Sequence, residues 1–358
     1  MLIYLCLSSH GFGHASRQAA IFEQIYKIKP NCKLVVSSNI DHNYLKSIFK
    51  DIPVVFRDIR WDVGVFQENA FDIDLKKTLR DIHLLDEYLT RAIELEVSWI
   101  KKQKLPVLIV GDIPPSAANL ASRLGCKLIW VGNFGWDQIY KPLGPEFRYQ
   151  SDKAYENYVK GDLLIKLPFA LKMDWSIEEL NVGITIPNSR EVPCRFLDLI
   201  PRSKNSNVFV GFGGLGYKLN PDLFNLWPDY KFILPKFLYE RSKFRQSLPN
   251  VISLPHFIRP FDVLNYCSRI ITKPGYSTLC ESLASSVGIH LVERKDFIES
   301  KALKKGTKSY SYHRFLSEES LISGNWELNH SLIRPLENGG LSRNGSYEAA
   351  IKIASYLD

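Results

Sequence analysis

The sequence predicts an α/β protein built from two doubly wound domains with parallel sheets, and three observations lead to this fold class. Strand-sized apolar runs recur along the chain and are nearly unbroken, which is typical of strands that are buried on both faces. Longer segments with apolar residues at helical spacing separate them. The alternation restarts after the middle of the 358 residues, a length that suits two domains better than one core.

In the first half, strands and helices are expected to alternate. The predicted strands are 2–7, 33–36, 54–56, 107–110 and 127–131, and the predicted helices are 15–26, 75–99 and 117–124. The segment 75–99 is the clearest helix, because Ile82, Leu85 and Leu89 recur every three or four residues. Strands that alternate with helices predict a parallel sheet with helices on both of its faces.

The second half repeats this pattern. The predicted strands are 207–210, 231–234, 251–253, 269–272 and 288–292, and the predicted helices are 261–265, 278–284 and 346–357. The segment 167–206 is irregular and holds four prolines, so it is interpreted as the region of the linker. The expected division is a first domain over 1–170, a linker over 171–190, a second domain over 191–335 and a C-terminal helix within 336–358. Because open α/β sheets bind ligands at the carboxyl ends of their strands, a ligand cleft between the domains is expected.

Composition restricts the possible partners. The chain has 46 Lys and Arg residues against 38 Asp and Glu residues, a formal net charge of +8 that would suit a polyanion. The basic residues are scattered, however, and no nucleic-acid-binding motif is present in the sequence, so nucleic acid is not an expected partner. Membrane contact would fit the charge, but no amphipathic helix with a basic face supports it.

The remaining global features predict a reduced, cytoplasmic protein. No apolar run approaches the roughly 18 residues that span a bilayer, and Met1 leads directly into the first predicted strand. The six cysteines have no CxxC spacing and are expected to be reduced thiols rather than metal ligands.

The loop 8–14 follows the first predicted strand and leads into a helix. Its two glycines allow a tight turn and a close approach to a ligand, and the helix start offers unpaired N–H groups. His10 and His14 can exchange a proton near neutral pH, so both are candidate general bases. The alternative is that the glycines only make the turn and one histidine caps the helix. The spacing matches neither a dinucleotide-binding GxGxxG motif nor a P-loop, which argues against hydride transfer and ATP hydrolysis.

Two loops of the second half are compatible with nucleotide binding. Residues 211–216 (Gly-Phe-Gly-Gly-Leu-Gly) would either surround a phosphate with backbone N–H groups or form a plain glycine turn. Residues 255–262 would either present their backbone to a flat nucleobase or pack as an ordinary loop.

A further loop, 272–278, carries the features of an anion site. A strand ends there, Pro-Gly turns the chain, and Ser277 and Thr278 bring hydroxyl groups to the amino end of a helix, with Lys273 nearby. Glu281 follows, and it is either the partner of Thr278 in a capping box or an acceptor for sugar hydroxyls.

At these residues the sequence resembles the GT-B glycosyltransferases. The second half is similar to the sugar-nucleotide domain of the bacterial N-acetylglucosaminyltransferase that forms lipid II and of related UDP-sugar enzymes. The first half resembles the region before the kinase domain of plant arabinokinases, and bacterial glycosyltransferase-like proteins. The motifs that this chain shares with them are 9–14 (Ser-His-Gly-Phe-Gly-His), 62–67 (Asp-x-Gly-x-x-Gln), 133–140 (Asn-Phe-Gly-Trp-Asp-Gln-Ile-Tyr), Val192-Pro193 with Arg195, and 338–350. Cyanobacterial pteridine glucosyltransferases, which glycosylate tetrahydrobiopterin, are similar in size and architecture.

The resemblance implies two Rossmann-like domains that face an interdomain cleft, a UDP-sugar such as UDP-glucose as donor, and no cofactor or metal. In this family a phenylalanine-containing loop, here 256–258, meets the uracil. A glycine and hydroxyl loop, here 274–278, holds the diphosphate, and a helical glutamate, here Glu281, takes the ribose hydroxyls. Together with Lys273, the predicted UDP-sugar contacts are Gly213, Gly214, Phe257, Ile258, Gly275, Tyr276, Ser277, Thr278 and Glu281.

The function expected on this basis is transfer of a hexose, glucose first, to a small soluble acceptor such as a pterin. His14, and after it His10, is the predicted base. Lys273 or Arg259, with the helix start, would stabilise the leaving diphosphate. The predicted acceptor contacts are Phe12, Asp112, Phe134, Trp136 and Asp137. Trp136 and Tyr140 lie four residues apart, so they are equally compatible with a place in the core.

Two other functions remain open: a sugar-nucleotide epimerase on the same fold, and a non-catalytic UDP-sugar-binding regulator. The sequence also departs from the family pattern. After Val292 it carries Glu293, Asp296 and Glu299, where related enzymes often have an Asp-Gln pair that contacts the sugar. This departure leaves the identity of the hexose open, and the sequence predicts neither the stereochemistry nor the oligomeric state.

Overall fold

A computed structural model describes residues 1–66, 74–213, 218–244, 248–293 and 297–357. The described chain divides into two compact units. The first contains the residues up to Pro187 and those from Ser342 onward, and the second contains Asn188–Leu341.

The first unit is a parallel sheet with helices on its connections. Its strands are β1 (Leu2–Leu7), β2 (Lys33–Ser37), β3 (Val54–Arg57), β4 (Val107–Asp112), β5 (Leu128–Gly132), β6 (Leu163–Lys166) and β7 (Glu178–Asn181). Its helices before Pro187 are α1 (Phe12–Ile28), α2 (His42–Ile48), α3 (Leu75–Lys102), α4 (Ala117–Leu124), α5 (Trp136–Tyr140) and α6 (Arg148–Tyr158).

The order of these strands decides which loops become neighbours. Among the described residues the sheet has seven strands in the order β3-β2-β1-β4-β5-β6-β7, and every neighbouring pair is parallel. β1 therefore lies between β2 and β4, and Leu7 at its end stands opposite Asp112. Because β1 and β5 are completely buried and β4 is buried except at Val107, their near-continuous apolar sequences follow directly from their central place.

Helix α3 shows how local sequence defines an element of this unit. Asp74 caps its amino end by accepting a hydrogen bond from the backbone N–H of Lys77 at 2.9 Å. Its buried residues Ile82, Leu85 and Leu89 lie on one face of the helix. The predicted helix 75–99 is thus observed with three more residues at its end.

The second unit is built in the same way. Its strands are β8 (Asn207–Gly211), β9 (Lys231–Pro235), β10 (Val251–Leu254), β11 (Arg269–Thr272), β12 (Gly288–Val292) and β13 (His313–Leu316). Its helices are α7 (Cys194–Leu197), α8 (Lys236–Arg241), α9 (Pro260–Leu264), α10 (Tyr276–Ala284), α11 (Ile298–Tyr310) and α12 (Glu318–Ser323). In the described part of this unit the six parallel strands follow the order β10-β9-β8-β11-β12-β13. The prediction of two Rossmann-like domains with parallel sheets is therefore confirmed.

The chain returns to the first unit at its end. Helix α13 (Gly345–Ala354) packs against α1. The backbone N–H of Ile184 donates to the carbonyl oxygen of Ser342 at 2.8 Å, and the N–H of Gly183 donates to Oε2 of Glu348 at 2.8 Å. A Cβ on Gly345 would lie 2.0 Å from the carbonyl oxygen of Gly183, so this contact requires glycine.

Candidate functional site

In the first unit, the predicted loop 8–14 lies at the carboxyl end of the sheet. Gly11 stands just before α1 with φ of 108°, in the left-handed region that favours glycine, and this lets the chain turn from β1 into the helix. His14, Arg17 and Gln18 follow at i, i+3 and i+4 of α1, so they share one face of the helix.

Those three side chains meet the carboxylate of Asp112, which ends the neighbouring strand β4. His14 Nδ1 lies 2.7 Å from Oδ1 of Asp112. Arg17 donates from Nε to Oδ2 at 2.8 Å and from Nη2 to Oδ1 at 2.5 Å, and Gln18 Nε2 donates to Oδ2 at 2.6 Å. Asp112 is completely buried, so a carboxylate there requires such partners.

The electrostatics of Asp112 reflect these contacts. Burial acts to raise its pKa, but the positive charge of Arg17, together with His14 and the hydrogen bonds from both, outweighs burial and lowers the pKa to about 2. Asp112 is therefore ionised at neutral pH and can only accept hydrogen bonds. His14 then donates from Nδ1, which leaves the lone pair on Nε2 and makes this atom a possible proton acceptor.

The other histidine of the loop is held differently. The His10 ring contacts Trp136 edge to face, with ring centres 5.2 Å apart. It also covers Gly64 so closely that a Cβ there would lie 2.2 Å from His10 Nδ1. Asp62 links the 8–14 loop to Trp136, because its carboxylate accepts hydrogen bonds from the backbone N–H of Ser9 at 3.3 Å and from Trp136 Nε1 at 2.9 Å. Burial raises the pKa of Asp62.

The predicted acceptor residues do not all lie at His14. Phe134 contacts His14, with ring centres 6.0 Å apart, and therefore lies beside the pair of His14 and Asp112, here called the dyad. Trp136 is completely buried and stacks on Tyr140, so it supports the loop from within the core. Phe12 stacks on Tyr44 instead, with ring centres 4.1 Å apart.

Asp137 lies apart from the described contacts of His14. Its Oδ2 accepts from Trp175 Nε1 at 3.1 Å, and its Oδ1 has no hydrogen-bond partner among the described residues. Burial raises the pKa of Asp137 to about 6.

A cavity of about 530 Å³ lies in the first unit between α3, α4 and α6. Asp62, Trp136 and Tyr140 line it, and its described lining contains neither His14 nor Asp112. The cavity therefore reaches Asp62 and Trp136, which contact the 8–14 loop, but not His14 and Asp112.

In the second unit, two predicted loops meet because β8 and β11 are parallel neighbours. Gly211 at the end of β8 stands opposite Thr272 at the end of β11. Gly213 follows with φ of 69°, and a Cβ on it would lie 3.8 Å from Cε of Lys273. The loops 211–213 and 272–275 thus lie side by side at the carboxyl edge of this sheet. Gly214 is outside the described residues, as is Gln67 of the 62–67 motif.

Helix α10 begins directly beside these loops. Gly275 is its N-cap residue, so Tyr276, Ser277 and Thr278 form its first turn, where backbone N–H groups lack intrahelical partners. The capping-box alternative for Thr278 and Glu281 is wrong, because the helix begins before Thr278. Ser277 lies in this first turn and Glu281 one turn further along the helix, and both are more than nine-tenths buried. This end has the chemistry of an anion site.

The loop after β10 offers an aromatic surface. Phe257 is 59% exposed, and the Arg195 guanidinium lies 5.8 Å from the centre of its ring. Ile258 beside it is buried. Arg259 forms a paired contact with Asp262, through Nε at 2.9 Å and Nη2 at 2.7 Å, so its charge is shared with that carboxylate.

Sequence reasoning did not assign roles to Arg17 and Gln18. Their spacing from His14 was the available signal, because residues three and four positions apart share a helix face. Within the described residues, no group of three His, Cys, Asp or Glu side chains is arranged to hold a metal ion. The described helices also include none that is long and apolar enough to cross a membrane.

Comparisons with known proteins agree with this architecture. No family model matches the chain. The chain is 24% identical to L-arabinokinase of Arabidopsis thaliana, over 96% of its own length and 33% of that relative, so it spans about a third of the relative's length.

Two solved structures illustrate the structural similarity. UGT89C1 of Arabidopsis thaliana, solved in complexes with quercetin and with UDP-L-rhamnose, matches with a TM-score of 0.66 and 14% identity over 100% of this chain and 99% of that one. A UDP-glucosyltransferase of Polygonum tinctorium capable of glucosylating indoxyl matches with a TM-score of 0.62 and 13% identity over 99% and 98%. The chain therefore has the GT-B fold, with two Rossmann-like domains.

Proposed function

We propose that this protein is a glycosyltransferase that moves a hexose from a UDP-sugar to a hydroxyl group of a small acceptor. The observation that carries the proposal is the 2.7 Å contact between His14 Nδ1 and Asp112 Oδ1 at the carboxyl end of the first sheet. A buried, ionised carboxylate that fixes one tautomer of an imidazole is the arrangement of a general base. In an inverting transferase such a pair accepts the proton of the attacking hydroxyl.

The reaction assigned to the dyad is a displacement at the anomeric carbon. The acceptor O–H loses its proton to Nε2 of His14 while its oxygen bonds to the anomeric carbon. The bond from that carbon to the diphosphate oxygen breaks, and UDP leaves with the electron pair. Asp112 holds the ring in place and stabilises the imidazolium that forms.

The donor is assigned to the second unit. The α10 amino end, Ser277, Thr278 and Lys273 offer N–H groups, hydroxyls and a positive charge to the departing diphosphate. Phe257 offers an exposed face to the uracil, and Glu281 offers a carboxylate to the ribose. These groups supply the charge stabilisation without a metal ion, so transfer is expected to continue in the presence of EDTA.

The acceptor is assigned to the first unit. Phe134 lies against the candidate base, so a flat aromatic or heteroaromatic acceptor is favoured, a pterin such as tetrahydrobiopterin among them. The structural relatives that carry quercetin or glucosylate indoxyl support an acceptor of this kind. Glucose is the first donor sugar to test.

The experiment is an incubation of the pure protein with UDP-glucose and a panel of pterin, phenolic and lipid acceptors. Release of UDP only when an acceptor is present supports transfer. A changed sugar without an acceptor would indicate an epimerase, and UDP binding without turnover would indicate a regulator. The anomeric configuration of the product tests the base itself, because inversion agrees with attack assisted by His14 and retention contradicts it.

A further inference from the structure

Arg17 and Gln18 share the carboxylate of Asp112 with His14. Arg17 donates twice to Asp112, through Nε and Nη2, and its Nη1 donates to Oδ1 of Asn133 at 2.8 Å. Gln18 adds a fourth donor to the same carboxylate. Arg17 is 2% exposed, and Asp112 and Asn133 are completely buried. The negative charge of Asp112 therefore does not act on His14 alone.

Arg17 also contacts the histidine ring itself. Its Nη2 lies 3.0 Å from His14 Nδ1. Since Nδ1 donates to Asp112, these two nitrogens are both donors, and the contact brings the positive guanidinium against the ring. A second proton on His14 would place two positive charges at this separation in a buried site, where water and salt screen them weakly.

Asp62 is a further charged group that acts on His14. It lies in the loop after β3, and its own pKa is raised by burial. Its effect opposes that of Arg17, and it is the same in wild type and in a variant at position 17. A comparison of such variants therefore isolates the guanidinium.

We propose that Arg17 is a positioning residue that keeps His14 in its neutral, proton-accepting form. The two N–H donors that Arg17 directs at Asp112, its guanidinium fork, orient the carboxylate that selects the Nδ1–H tautomer of His14. The positive charge of Arg17 opposes protonation of the His14 ring before the acceptor arrives. The net charge of His14, Asp112 and Arg17 together is then zero before the reaction. It becomes +1 when His14 has accepted the proton. This role rests on the proposed function for its catalytic meaning, but the protonation of His14 can be measured without any substrate.

The test is an NMR titration of the His14 ring in the full chain without ligands, followed by the pH dependence of kcat/KM. Arg17→Met removes the fork and the charge, and the proton affinity of His14 is expected to rise by roughly tenfold or more. The acidic limb of the kcat/KM profile then moves to higher pH by the same factor, because the base is protonated sooner. Arg17→Gln retains a donor without the charge and is expected to behave like Arg17→Met, which keeps the test available if the methionine variant does not fold.

Two controls separate charge from structure. Arg17→Lys retains the charge but not the fork, and its His14 titration is expected to stay close to wild type. Arg57→Met breaks another Arg–carboxylate pair of this unit, with the buried Glu96, and is expected to leave His14 unchanged. A neutral variant at position 17 that titrates like wild type would overturn the proposal. Absence of transfer with a shifted titration would instead count against the proposed function alone.

Discussion

His14 and Asp112 are 98 residues apart in sequence, yet Nδ1 of the first lies 2.7 Å from Oδ1 of the second. The contact arises because β1 and β4 are parallel neighbours. Leu7 stands opposite Asp112, and α1 starts a few residues after Leu7. The dyad therefore depends on the order of strands in the sheet rather than on any local motif.

Replacement of His14 by alanine tests the assignment of the base. His14→Ala is expected to lower kcat by about 10²- to 10⁴-fold, the usual contribution of a general base, and to leave UDP affinity unchanged. Coupled detection of released UDP and calorimetric titration with UDP measure the two quantities. His42→Ala is the matched control, because His42 is exposed at the start of α2. Full activity of His14→Ala would exclude His14 as the base.

Lys273 is expected to contribute to the affinity for the diphosphate. Lys273→Met removes the cation beside Gly213, and UDP affinity should fall by about 1.5–3 kcal/mol, the range for hydrogen bonds to charged groups. Uridine, which has no phosphate, should bind wild type and variant equally in the same calorimetric assay. Lys236→Met, which changes an exposed lysine of the same unit, is expected to have no effect. An equal loss for UDP and uridine would contradict a phosphate contact.

Gly64 is expected to control the position of His10. A Cβ there would lie 2.2 Å from His10 Nδ1, and Gly64 has φ of 72°. Gly64→Ala should displace the ring and lower transfer by roughly tenfold or more, because small misplacements near a reacting centre are costly.

Gly125→Ala is the control for backbone strain. Gly125 has φ of 63°, but no atom lies within 4 Å of the position of its Cβ. Both variants should lose about 1 kcal/mol for the left-handed conformation, and only Gly64→Ala should lose more in chemical denaturation. Equal stability and activity of the two variants would show that His10 does not need its present position.

Asp137 is expected to make the stability of the protein depend on pH. Burial raises the pKa of Asp137 from 3.8 to about 6, so the native state binds its proton more tightly than the unfolded state. Stability therefore falls as pH rises between about 4 and 6, and the cost above pH 6 reaches about 3 kcal/mol. Asp137→Asn removes this cost, so it should stabilise the protein at pH 8 and not at pH 4.

Urea unfolding at the two pH values measures this difference. Asp152→Asn, at an exposed position on α6, is the control and should show the same stability change at both. A gain for Asp137→Asn that is equal at pH 4 and pH 8 would contradict the titration of this group.

Much of the fold could be predicted because its central strands are buried on both faces. The predicted strands 2–7, 269–272 and 288–292 have the observed ends. Strand β7 was missed, and its segment was read as irregular. It is an edge strand with exposed glutamates, so only its pairing with β6 identifies it.

The site was predictable only in its parts. Loops with histidines, glycines and hydroxyls could be found because strand ends and helix starts have recognisable sequences. Their partners could not be found, because the placement of Lys273 beside Gly213 and the contact of His14 with Asp112 each require two strands to be neighbours in the sheet. Asp112 and Asp137 looked equivalent in sequence, and only the fold separates them.

The attachment of α13 to α1 has a consequence for biosynthesis. Residues from Ser342 onward leave the ribosome after all of Asn188–Leu341, although they belong to the first unit. Until then the backbone N–H groups of Gly183 and Ile184 lack the acceptors that Glu348 and Ser342 later provide. The first unit therefore completes its folding only after translation of the second, and a fragment that ends at Pro187 would lack part of its own structure.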